Sequence, residues 1–168
     1  VPAGAAGLDA AALARSVAER RWYGAAGETV ATATVVAAAP VAPSLQWVLL
    51  RLDFASGATA TYQLVLDERT GQDAVARPET VRWLFPSIAV ASVTELGGEQ
   101  SNTSLVVDGS VIVKVFRRVG APGEVNPDRE VVRALWDGGY RSVPEPVAEC
   151  VRDGRDLAVA RRYLAGAT

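Results

Sequence analysis

The sequence has no histidine. There is therefore no imidazole base, no Ser–His pair and no His-ligated metal, which excludes most hydrolase and zinc-site arrangements. Cysteine is nearly absent: Cys150 stands alone, so no intrachain disulfide can form, which fits a reducing cytoplasm. Cys150 itself reads as a small buried residue. No apolar run approaches the ~20 residues of a membrane-spanning helix. The opening residues, Val1-Pro-Ala-Gly-Ala-Ala-Gly7, lack the charged start and apolar centre of a signal peptide. These absences together predict a cytoplasmic location with no membrane contact. Lysine is the next scarcity. Of seventeen basic side chains, sixteen are arginine and one is Lys114. A lysine is a compact point charge on a flexible stem, suited to a phosphate set back in a cleft. Any chemistry must come from carboxylates, Lys114, arginines, hydroxyls or backbone amides.

What remains is an ordinary globular composition: 168 residues, 49% hydrophobic, 21% charged, net charge −2. That length allows one good-sized domain or two small ones. With no basic block, a nucleic-acid partner is not expected.

Leu8 to Arg20 has the apolar spacing of a short amphipathic helix, through Leu8, Ala12, Leu13 and Val17. Three strand patterns follow, over 29–37, 45–54 and 58–66, with Ser56-Gly57 as a tight turn between the last two. Residues 73–84 read as helical or irregular, and Pro86 punctuates them. Strands are expected again over 88–96, 104–108 and 110–118, the last two joined by Asp108-Gly109. Asn126 should cap a helix over 128–136, with Pro127 at its first position and Gly138-Gly139 at its exit. Two further strands, 146–151 and 157–163, flank Asp153-Gly154.

Lys114 lies in the strand Val111-Ile-Val-Lys-Val-Phe116. A polar loop, Gly98-Glu-Gln-Ser-Asn-Thr-Ser104, precedes that hairpin, and Glu130 follows in the helix 16 residues on. This order resembles the protein-kinase plan: a loop over the phosphates, a third-strand lysine on the α/β-phosphates, and a helix glutamate that holds the lysine. Glu130 is expected to pair with Lys114, while Asp128, in the first turn, suits capping better. The loop is not a G-x-G-x-x-G, yet backbone amides and the hydroxyls of Ser101, Thr103 and Ser104 are donors of the kind that anion-binding turns use. The four tryptophans read as core or interface anchors, Arg117-Arg118 as a solvated strand end, and Asp67-Glu-Arg-Thr-Gly71 as a turn.

The motifs Arg21-Trp-Tyr-Gly24, Gly57-Ala-Thr-Ala-Thr-Tyr-Gln63, Glu99-Gln-Ser-Asn-Thr-Ser104, Ile112-Val-Lys-Val-Phe-Arg-Arg118 and Asn126-Pro-Asp-Arg-Glu130 occur in this order. In that respect the chain resembles maltokinases, ATP-dependent enzymes that phosphorylate maltose at its anomeric hydroxyl. The resemblance implies an α+β chain: an antiparallel curled-sheet cap over 1–90, then a protein-kinase-like N-lobe over 91–168. It implies ATP and Mg²⁺ as cofactors, with Lys114, Glu130, Gln100, Ser101, Asn102, Thr103 and Ser104 around the nucleotide. Tyr163 and Leu164 would open the hinge that holds adenine through backbone bonds. The sugar site, the catalytic aspartate and the metal ligands would lie in a helical C-lobe absent from this chain, which has no H-x-D-x-x-x-x-N loop. A trehalose-synthase-type enzyme is an implied partner. The stretch 73–86 is short for a maltokinase cap, which leaves a glucosamine kinase as an alternative. A non-catalytic nucleotide-binding module is another.

Overall fold

The computed structural model describes residues 7–97 and 101–164. In chain order its elements begin with α1 (Ala10–Ala18), β1 (Val30–Ala42), β2 (Leu45–Phe54), β3 (Thr59–Asp67) and α2 (Pro78–Leu84). They continue with β4 (Val93–Leu96), β5 (Asn102–Val107), β6 (Val111–Phe116), β7 (Arg118–Val119), α3 (Pro127–Asp137), β8 (Pro146–Arg152) and β9 (Arg155–Arg162). The class is α+β with two antiparallel sheets. No helix among the described residues is long and apolar enough to cross a membrane.

Two compact units divide the chain. One runs to Val75 and takes in residues 101–102 and Arg117–Val119. The other starts at Ala76 and takes in Thr103–Phe116 and the chain from Gly120 onward.

The first unit is the sheet β1-β2-β3-β7 with α1 against it. Asp9 starts α1 as its N-cap, accepting from the Ala11 and Ala12 amides at 2.9 and 3.0 Å. Alternation along β2 and β3 sends Val48, Leu50, Leu52 and Tyr62 into one face, where all four are fully buried with Val17, Trp22 and Tyr23. Each such side chain contributes about 1.5–3 kcal/mol by leaving water. The Tyr62 hydroxyl donates to the Tyr23 carbonyl at 2.5 Å, and burial pushes its pKa up. Trp47 Nε1 donates to Gln63 Oε1 at 2.7 Å, also buried. The first strand extends to Ala42, past the expected end at residue 37. It passes through Pro40 because β1 is an edge strand, where a missing N–H breaks no ladder.

Arg117 is not a solvated strand end. It is 1% exposed, paired with Asp73 at 2.6 Å and set over the Trp22 ring at 4.9 Å. A guanidinium can be buried this way when a carboxylate takes its fork and an aromatic face covers its plane.

The second unit is the sheet β4-β5-β6-β9-β8 with α2 and α3. Asp108-Gly109 and Asp153-Gly154 all take positive φ (48°, 65°, 49° and 72°), the type I′ geometry that closes two-residue hairpins. Val113, Val115, Leu105 and Leu157 are fully buried. The strand expected over 88–96 is only Val93–Leu96. Asp108 explains the difference: its carboxylate accepts from the Ala91 and Ser92 amides and the Ser92 hydroxyl, 2.6–3.2 Å, which holds 91–92 out of the ladder.

Candidate functional site

Lys114 sits in β6, between β5 and β9 in the five-stranded sheet. Its neighbours Val113 and Val115 point into the core, so alternation turns Lys114 to the other face, where its side chain is 25% exposed. There it meets α3. Lys114 Nζ lies 2.7 Å from Asp128 Oδ2.

The partner is Asp128 and not Glu130, which corrects the expected pairing. Residues two apart on a helix are separated by about 200° around its axis. Only one of the two can therefore face the strand, and Glu130 is exposed. Asp128 is available because it does not cap the helix. Asn126 does that, its Oδ1 accepting from the Asp128 amide at 2.9 Å.

Charged contacts surround this pair. Arg129 bonds Glu149 through Nε and Asp156 through Nη1, both at 2.7 Å. The Glu149 hydrogen bond is the chief reason the Arg129 pKa is raised. Arg133 reaches Glu149 at 3.3 Å. Arg161 donates to the Asp128 carbonyl; burial lowers its pKa, and the Asp128 charge opposes that. A shallow groove runs along this seam, lined by residues that include Arg129, Arg133, Glu149 and Arg161.

The remaining expected residues fall as follows. Gln100 lies outside the described residues. Ser101 is exposed and Asn102 half-buried, and the Asn102 amide donates to the Ser101 hydroxyl at 3.3 Å. Thr103 and Ser104 were expected as loop hydroxyls. They belong to β5 and are 4% and 3% exposed, because the strand begins at Asn102. The Tyr163 amide donates to the Ser110 carbonyl at 2.9 Å, and Leu164 is exposed. Asp128, Arg129, Asp156 and Arg161 were not anticipated as a group around Lys114. One signal was present: Asp156 opens an otherwise apolar strand, Leu157-Ala-Val-Ala160, in a position where aspartate is disfavoured.

No protein-family model matches the chain. Solved structures do. One, described as glucosamine kinase in crystal form A, aligns over 80% of this chain at 22% identity with a TM-score of 0.56. Another, glucosamine kinase in complex with glucosamine, ADP and inorganic phosphate, aligns over 90% at 20% identity with a TM-score of 0.58. The chain shares its fold with part of these glucosamine kinases. It spans 35% and 41% of their lengths. At such identities the likeness to glucosamine kinase bears on architecture.

Proposed function

We propose that this chain is the nucleotide-binding portion, with an N-terminal cap, of an ATP-dependent sugar kinase. Lys114 binds the α/β-phosphates in this reading. The observation that carries it is the Lys114–Asp128 pair, an ammonium held by a helix carboxylate on the open face of a five-stranded antiparallel sheet. The likeness to a glucosamine kinase crystallised with glucosamine, ADP and inorganic phosphate supports the reading.

Each part of the arrangement has a chemical role. Strand β6 fixes the lysine stem, and Asp128 aims the ammonium. Phosphate oxygens are acceptors of the same kind as the Asp128 carboxylate, so a nucleotide joins that pairing with charge-assisted bonds. Ser101 and Asn102, at the start of β5, lie nearest the phosphates in this reading, and Tyr163-Leu164 opens the hinge beside the adenine. The described residues hold no cluster of three or more candidate ligands for Mg²⁺. The base that accepts the sugar proton lies outside these residues, as does the acceptor pocket. Two acceptors fit. The sequence motifs favour maltose, giving maltose 1-phosphate, and the structural likeness favours glucosamine.

The test is ADP binding by calorimetry. Lys114→Ala should weaken it about tenfold to a hundredfold, the value of one charge-assisted hydrogen bond. An unchanged affinity would remove Lys114 from the nucleotide site. The 168 residues alone should leave both maltose and glucosamine unphosphorylated, and measured turnover would show that the acceptor base lies within them.

A further inference from the structure

Apolar burial does not fix α3. None of its side chains is buried, and Val131 and Leu135 remain 54% and 38% exposed. Its first turn is held by ionic contacts, and these converge on Asp156. Among the described residues Asp156 is the one buried carboxylate, at 5% exposure. Its Oδ2 accepts from the Asn126 amide at 2.8 Å, just ahead of the helix. Its Oδ1 accepts from Arg129 Nη1 at 2.7 Å. Asp128 lies between those two anchored residues. Arg129 also binds Glu149, and the Asp128 carbonyl accepts from Arg161. A buried acceptor with both oxygens engaged resists displacement, because either bond lost leaves a polar group unsatisfied out of water.

We propose that Asp156 is a positioning residue: by gripping Asn126 and Arg129 it holds the rotation of α3 that presents Asp128, and not Glu130, to Lys114. Its functional weight rests on the reading of Lys114 as a phosphate ligand, but the geometric claim does not. Rotating the helix by about half a turn would exchange one carboxylate for the other. The grip on residues 126 and 129 opposes that rotation.

Lys114 is itself the reporter. Amine acylation by an N-hydroxysuccinimide acetate, read on the Lys114 peptide by mass spectrometry, follows its pairing in the folded protein without nucleotide. Asp128→Asn should raise the labelling rate about threefold to fivefold, as loss of a partly exposed ion pair does. Asp156→Asn should raise it by a similar factor, and the double variant no further than Asp128→Asn alone. Arg129→Gln cuts the same grip and serves as the second variant, deciding the matter if Asp156→Asn does not fold. A role limited to stability would lower the melting temperature and leave the folded-state labelling rate unchanged. That result would overturn the proposal, as would additive effects in the double variant. A separate arm adds ADP to the wild-type protein. If ADP fails to slow labelling, the nucleotide reading fails while the positioning result stands on the unliganded rates.

Discussion

Among the described residues Arg117 is the largest fully buried side chain. Its guanidinium is almost fully buried and depends on Asp73, which holds both terminal nitrogens at 2.6 and 3.3 Å. Removing Asp73 takes the carboxylate from a guanidinium that is almost wholly out of water. Asp73→Ala should therefore destabilise the protein by about 3–5 kcal/mol, read by chemical denaturation. A loss under 1 kcal/mol would mean that contacts other than Asp73, the Trp22 face among them, carry Arg117. The sequence does not announce this pair. Arg117 and Asp73 are 44 residues apart, and Arg117-Arg118 looks like any polar strand end. Lys114 was legible because scarcity and strand context pointed at one residue. Its partner was not, because the choice between Asp128 and Glu130 depends on helix rotation, and contacts remote in sequence set that rotation.

At the scale of elements, the pattern of apolar alternation located β2, β5, β6, β8 and β9 within a few residues, and the turn pairs Asp108-Gly109 and Asp153-Gly154 fixed two hairpins. What failed was the start of β4. Apolar content at 88–92 suggested a longer strand, but the Asp108 side chain offers those amides another acceptor. The same contacts, led by the Ala91 and Ser92 amides, hold the Asp108 carboxyl below the usual carboxylate range. A depressed folded pKa means that the ionised form is the one bonded in the native state. Its contribution is fully present above the ordinary aspartate range and is lost as pH falls through the lower folded value. Amide exchange at Ala91 and Ser92, followed by NMR, should stay slow through mildly acidic pH and speed up only below that range. Protection lost at the pH where exposed carboxylates titrate would contradict this. Asp108→Asn should remove the pH dependence, because the neutral side chain does not titrate.

For the whole molecule, class and the order of parts were readable from sequence: strands, then the polar loop, the lysine strand, the helix and a last hairpin. The two compact units interleave along the chain. Here the chain leaves the first unit after Val75 and returns to it for residues 101–102 and again for Arg117–Val119. The Gln63 amide donates to the Arg117 carbonyl at 2.8 Å, and Thr61 and Tyr62 pair with Val119 and Arg118. A chain beginning at residue 91 therefore keeps Arg117 but loses Asp73, Trp22 and the strand that β7 pairs with. It should express as an aggregating or unfolded product, measured by solubility and amide-signal dispersion, and a soluble, folded 91–168 would refute that.

The return of residues 117–119 also bears on ancestry and on engineering. Neither unit is a contiguous stretch of gene, so no single crossover can exchange one and leave the other whole. A chimera that imports a foreign first unit by joining at residue 75 or 90 brings a stranger's β3 to the resident β7, and a stranger's environment to Arg117. Inheritance of the two units is thereby tied together. Successful exchanges of the first unit, natural or designed, should carry with them a short graft just downstream of the lysine strand.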